Sequence, residues 1–301
     1  MSIINASALL AASVGEYQIS RSVRLRSSAS AYFNRTFGTP TDNKKWTWSG
    51  WVKRGALGSA VTYRNIFTAN PGGTNQSYTW LFFYSDDTLF LISGRTPSGI
   101  STGTSTSLQT TQVFRDPSAW YHIVVSVDTA QATDTNRFKL YVNGQQITAF
   151  QGPTYQAQST DTWMNGNGVA HQIGANTATS YHDHYQTEIN FIDGQALTPS
   201  SFGQTNTVTG VWQPLKYTGT YGTNGFYLNF SDNSNNTATT IGKDYSGNGN
   251  NWTPNNISVT AGTTYDSMLD VPTLFADGGN GRGRSEEHTS ELQSRVDISY
   301  A

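Results

Sequence analysis

Outside residues 284–301 the chain contains only two glutamates, Glu16 and Glu188, and this scarcity limits its chemistry from the start. A retaining glycosidase needs two carboxyl groups about 5 Å apart, and the best available pair is Glu188 with Asp193 in TEINFIDG. Their odd separation sends them to opposite faces of a regular strand, so only a bulge would bring them together. That spacing argues against a two-carboxylate hydrolase. No G-x-S-x-G elbow, phosphate-binding loop or H-E-x-x-H helix is present. His182 and His184, two apart in SYHDHYQTE, share a face on an extended segment and could grip a transition metal with Asp183 nearby, although Asp183 would point the other way. A polar loop or edge strand is the plainer reading. His122, within WYHIVV, lies among residues of buried type and is expected as a core or rim histidine.

Hard oxygen donors recur at Asp244, Ser246, Asn248 and Asn250 in KDYSGNGNN, an alternation on a curled loop that suits Ca²⁺. The same residue types are also what tight turns are built from. Sugar recognition needs flat aromatic surfaces for apolar sugar faces and planar amides for hydroxyls. Trp80, Tyr84, Tyr155, Trp163, Asn165, Asn167, Tyr181 and Tyr185 lie in or beside loop-like segments and are the candidates. Trp46, Trp48 and Trp120, on strand-like segments, are expected to be buried.

The elements that must position these groups are strands. Apolar residues alternate with polar ones in ISRSVRLRS, KWTWSGWVKRG, WYHIVVSVD and EINFIDGQAL, the period of half-buried strands. Gly50 falls where a bulge or bend would fit. Asn143-Gly144, between two alternating runs in LYVNGQQIT, predicts a two-residue hairpin, because both central residues of a type I′ turn need positive φ. No helical period is sustained over twelve residues; ALTPSSFG predicts one turn begun by Thr198 and Pro199. The fold class is all-β, a sandwich or jelly roll. Charged residues are 13% of the chain, and without residues 284–301 the two signs balance, which excludes nucleic acid as the main partner. No cysteine is present, so disulfides and thiolate metal sites are excluded. The opening MSIINASALLAASVG has no Lys or Arg before its apolar patch and reads as an arm or short strand, with no membrane insertion.

In order, WTWSGWVKRG, DPSAWYHIVVSVD, NRFKLYVNGQQIT and INFIDGQALTPSSFG resemble the LamG-like jelly roll of the concanavalin A-like lectin/glucanase superfamily over residues 16–207. With DYSGNGNNWTPNN, the set is similar to bacteriophage virion proteins, of tail or fibre type. The resemblance implies a non-enzymatic carbohydrate-binding module on a virion, with host surface glycans and virion proteins as partners, homo-oligomeric assembly and, in some members, Ca²⁺. A purely structural spacer and a glycoside hydrolase of the same superfamily are the alternatives. Residues 1–15 are expected as an arm and 208–283 as a linker with the start of a further β module.

Three of the five glutamates fall in residues 284–301. RSEEHTSELQS resembles the translation of a short-read sequencing adapter, with Arg295–Asp297 as index and ISYA as the constant part that follows. Residues 284–301 are therefore expected to be a disordered artefact, with the gene product continuing past Gly283.

Overall fold

The computed structural model describes residues 17–58, 62–71, 78–94, 105–176, 180–207 and 209–273; the expected arm and the adapter-like tail lie outside these residues. The first strands are β1 (Ser22–Leu25), β2 (Tyr32–Thr36), β3 (Lys45–Arg54), β4 (Tyr63–Asn70), β5 (Tyr78–Tyr84), β6 (Thr88–Gly94) and β7 (Thr106–Val113). There follow β8 (Trp120–Asp128), β9 (Phe138–Val142), β10 (Gln145–Ile147), β11 (Ala170–Ile173), β12 (Ala175–Asn176), β13 (Ser180–Tyr181) and β14 (His184–Asp193). The last are β15 (Gly203–Thr205), β16 (Trp212–Pro214), β17 (Phe226–Leu228), β18 (Thr253–Asn255) and β19 (Ser267–Met268). One sheet runs β10-β9-β8-β3-β14-β1-β19 with β17 also on β14; the other runs β18-β2-β11-β4-β5-β6-β7. Among the described residues no helix is long and apolar enough to cross a membrane.

Period-two patterning decides which side chains meet between the sheets. Trp46, Trp48 and Val52 from β3, Ile123, Val125 and Val127 from β8, and Leu81 and Phe83 from β5 share one buried cluster. Trp120, expected in the core, is half-buried, with Nε1 donating to Asp270 Oδ1 at 3.1 Å, because it starts its strand at the sandwich rim. The Asn143-Gly144 hairpin forms as expected, with φ of 48° and 80°, and joins β9 to β10. Gly144 is required for a second reason: a Cβ there would stand 2.6 Å from the Trp212 ring. β3 is buried on both faces, because Thr47 accepts the Leu197 N–H and donates to Gln195 O and Ile192, Val124, Tyr141 and Phe202 form a second cluster on that side. The bulge expected at Gly50 lies opposite it. The β3–β14 register shifts between Thr187 and Asn190, so Glu188 and Ile189 together oppose Gly50.

The linker expected after Thr207 is corrected by the packing. β17 pairs with β14, β18 with β2 and β19 with β1, so residues 209–273 extend both sheets. Phe226, Leu228, Phe230, Ile241, Trp252 and Ile257 belong to the same core cluster as β3 and β5. A segment carrying that much apolar surface is stabilised by covering the open side of the sandwich. Turn-rich composition hid this, because the strands are two or three residues long.

Candidate functional site

β5 carries apolar residues on both faces. Leu81 and Phe83 enter the core, so Tyr78, Trp80, Phe82 and Tyr84 stand on the opposite, outer face. Tyr63, paired with Tyr84 across β4, and Phe90, paired with Phe82 across β6, join them. Tyr78 and Trp80 stack with centroids 4.2 Å apart at 24°. Tyr63 lies 5.9 Å from Trp80, 5.4 Å from Phe82 and 5.9 Å from Tyr84, while Phe90 lies 5.1 Å from Phe82. Phe82 is fully buried beneath its neighbours, whereas Tyr63 is 39% exposed and Tyr78, Trp80 and Tyr84 are half-buried. These edge and offset contacts fix the ring planes relative to one another. Two polar groups there have no partner: Trp80 Nε1, and both Nδ2 and Oδ1 of Asn65, which opposes Phe82 two positions along β4 from Tyr63. Asn65 has no exposed surface and lies beneath these rings, and its amide has no partner among the described residues.

Trp80 and Tyr84 are thus brought together, and the other expected ligand residues are dispersed. Trp163 packs against the core from the 3-10 turn Trp163–Asn165. Asn165 is not free for sugar, because it is fully buried and its Nδ2 donates to Asp193 Oδ1 at 2.6 Å and to Asp42 O at 3.1 Å. Asn167 is exposed, Tyr155 packs against the core, Tyr181 lies 5.8 Å from Tyr32, and Tyr185 sits 5.9 Å from Lys53 Nζ on β14. Tyr63, Tyr78, Phe82, Phe90 and Asn65 were missed. The signal for Tyr78 and Phe82 is an aromatic at every second residue of YTWLFFY, opposite an already complete apolar face; Tyr63, Asn65 and Phe90 are brought in by strand register.

Glu188 and Asp193 remain apart despite the bulge. Glu188, at φ 53°, turns to the side of Tyr227 and Asn190, accepting from Tyr17 Oη at 2.7 Å and Tyr227 Oη at 2.8 Å. Tyr221 Oη donates to Asn190 Oδ1 at 2.9 Å on that side. Asp193 instead accepts N–H groups from Thr41 at 2.7 Å and Asn224 at 3.0 Å as well as from Asn165, tying three loops together. The two carboxyls share no partner.

The described histidines are all buried. Trp212 Nε1 donates to His122 Nδ1 at 2.9 Å, which leaves Nε2 to donate to Ser49 Oγ at 2.9 Å. His171 stacks on Phe37 at 3.6 Å. Gln186 Nε2 donates to His184 Nε2 at 2.7 Å, and His182 Nε2 has no partner. Among the described residues no group of three His, Asp or Glu is placed to hold a metal. Burial pushes His122 and His182 down to about 3 and His171 and His184 to about 4. Each therefore binds a proton more weakly when folded than its ordinary 6.5, so stability is full above that value and is lost as pH falls below it. Burial raises Glu188 from 4.5 to about 7, which costs stability as pH rises between those values. Four imidazoles outweigh one carboxyl, and the melting temperature is expected to fall steadily from pH 6.5 to 4. Glu188→Gln should melt above the parent at pH 8 and converge with it at pH 4; parallel curves would refute this account of Glu188.

The four expected calcium donors share one loop, and most of their polar atoms are hydrogen-bonded within the protein. Asp244 Oδ1 accepts from Tyr227 N and Ser246 N, and Oδ2 from Ser246 Oγ and Asn250 N, all within 2.8–2.9 Å. Asn248 Nδ2 donates to Gly222 O and Gly225 O, Asn250 Nδ2 to Thr223 O and Gly225 O, and Asn250 Oδ1 accepts from Arg35 Nη2. A guanidinium thus caps that amide oxygen, and each Asp244 oxygen accepts two hydrogen bonds from the protein. These bonds fit a turn that staples residues 222–227.

Two antiparallel sheets around one core, with a patterned outer face, define a lectin-like β-sandwich. Residues 27–189 match the Laminin_G_3 family, described as concanavalin A-like lectin/glucanases superfamily, and the chain belongs to that family. No curated protein sequence matches it. Among solved structures it is similar to a Bacteroides ovatus protein provisionally assigned to carbohydrate binding, at 14% identity and a TM-score of 0.50, covering 79% of this chain and 59% of that one. It is also similar to a heptameric SAP-like pentraxin of Limulus polyphemus, at 16% identity and a TM-score of 0.41, covering 61% of this chain and 80% of that one. A third is domain 4 of a Geobacillus stearothermophilus arabinanase solved with arabinotriose, at 21% identity and a TM-score of 0.37, covering 52% of this chain and 64% of that one. The chain spans about three fifths of the length of the Bacteroides protein.

Proposed function

We propose that the protein is a non-catalytic carbohydrate-binding module whose site is the outer face of β4, β5 and β6. The observation that carries this is the set of four partly open rings, Tyr63, Tyr78, Trp80 and Tyr84, held over the buried Phe82 and Asn65. Rings held at fixed angles offer apolar area to sugar C–H faces at little entropic cost, and the rim hydroxyls of Tyr63, Tyr78 and Tyr84 supply both donor and acceptor for sugar hydroxyls. Membership of a family of lectins and glucanases supports the reading, as does the carbohydrate assignment of the Bacteroides protein. Separation of Glu188 from Asp193 favours binding over hydrolysis. The setting we propose, a bacteriophage tail or fibre contacting host surface glycans, rests on the sequence resemblance alone. In that setting homo-oligomeric copies beside other virion proteins would turn weak single sites into useful avidity.

The test is binding of the full chain to an array of bacterial surface glycans, with calcium and with chelator. Retention of defined glycans in both conditions is expected. Silence across the array would favour a purely structural spacer, and loss with chelator would restore a metal-organised site near Asp244.

A further inference from the structure

At one end of the sandwich the sheets part around a small pocket open at its mouth, with room for about one small ion or water, lined in part by Arg54, Arg64, Phe83, Asp183 and His184. Arg54 ends β3 and is 2% exposed. Its Nη2 donates to Asp87 Oδ1 at 2.8 Å, its Nη1 to Phe114 O, and its plane covers Phe83 at 4.7 Å. Its Nε has no partner. Arg64, 6% exposed, donates only to the carbonyls of Tyr84 and Gly58. Neither nearby carboxylate is hydrogen-bonded to Arg64. Asp183 accepts from Ser27 N at 2.9 Å and Ser27 Oγ at 2.7 Å, while Asp87 is shared between Arg54 and Arg115. Of the two buried guanidiniums, Arg54 has a carboxylate partner in Asp87 and Arg64 has none among the described residues.

A buried charge without a counter-ion is costly, and an unpartnered buried donor calls for an unseen water or ion. Burial is also the chief cause lowering the proton affinity of both guanidiniums, as expected where compensation is incomplete. We infer that this cavity is a binding site for a small monoanion, a halide or a single carboxylate head, seated between Arg54 and Arg64. Phe83 and Ile66 wall it, so the space suits a compact anion or the acid group of a uronic-type sugar whose ring stays outside. The site lies between the sheets, on the other side of β4 and β5 from the aromatic face, and stands independently of it.

The experiment is thermal unfolding of the full chain titrated with sodium chloride, sodium acetate, sodium glucuronate or neutral glucose. Ionic strength is held constant with sodium 2-(N-morpholino)ethanesulfonate, whose anion is too bulky for the cavity. A rise that grows with the logarithm of anion concentration and reaches about 5 °C at a hundredfold excess over Kd is expected from linkage for at least one of the monoanions, with none for glucose. A response to acetate and glucuronate identifies an acid-sugar carboxylate; a response to chloride alone identifies an inorganic ion. Arg64→Met should melt no lower than the parent in the bulky-anion buffer and lose the titration response. Arg115→Ala, at a side chain that is 61% exposed, should keep it. Flat titrations of the parent for all three anions, or an undiminished response in Arg64→Met, would overturn the proposal.

Discussion

Trp252→Ala is expected to destabilise the protein by about 3–5 kcal/mol, the cost typical of emptying a fully buried tryptophan site. Trp252 has no exposed surface, and its ring lies 4.9 Å from Phe226, 5.9 Å from Phe67 and 6.2 Å from Phe37. These neighbours come from β17, from β4 and from the turn after β2, so the indole fills a junction among three parts of the sandwich. Its backbone N–H donates to Gly242 O at 2.8 Å, which locks the loop that delivers it. At roughly 2–4 °C per kcal/mol for a domain of this size, the melting temperature should drop by about 10 °C. A chain ending at Thr207 should fare worse, because it loses β17, β18 and β19 and exposes the apolar side chains they cover. Calorimetry on both proteins checks this. A cooperative transition for residues 1–207 at the parent temperature would show that the sandwich closes without its C-terminal third.

Trp80→Ala is expected to weaken glycan binding by about 2 kcal/mol, roughly thirtyfold in Kd, as for a central aromatic anchor. Trp80 touches Tyr78, Tyr63 and Phe82, so its removal also frees the ring planes around it. Trp163→Ala is the counterpart. That side chain packs against the core instead, and its loss should lower stability while leaving Kd unchanged. Titration calorimetry on the two variants separates the sites, and a larger loss of affinity at Trp163 than at Trp80 would move the site to the loop after β10.

The fold was legible because strand periodicity is local. KWTWSGWVKRG and WYHIVVSVD announce β3 and β8 through alternation alone, and Asn143-Gly144 announces its turn through the φ values it tolerates. The C-terminal strands were not legible: three residues such as Phe226–Leu228 or Thr253–Asn255 are too short to display a period, and only long-range pairing makes them strands. The candidate site was half legible. Trp80 and Tyr84 stood out as aromatics near turns, yet their real partners Tyr63 and Phe90 are set by the pairing register of β4 and β6 on β5, which local pattern does not fix. Asn165 read as a free amide because nothing local reveals the Asp193 carboxylate that claims it. Glu188 was correctly separated from Asp193 by strand parity, although the bulge that places it against Tyr17 and Tyr227 could be located only from the register of β3 and β14.

The central claim is most directly tested by following side-chain N–H resonances of the full chain while adding the glycan retained best on the array. Saturable shifts at Trp80 Nε1 and Asn65 Nδ2, with Trp163 and Trp212 unmoved, are the result predicted here. Shifts confined to Trp163 or to residues 244–250, with Trp80 and Asn65 silent, would contradict a glycan site on the aromatic face.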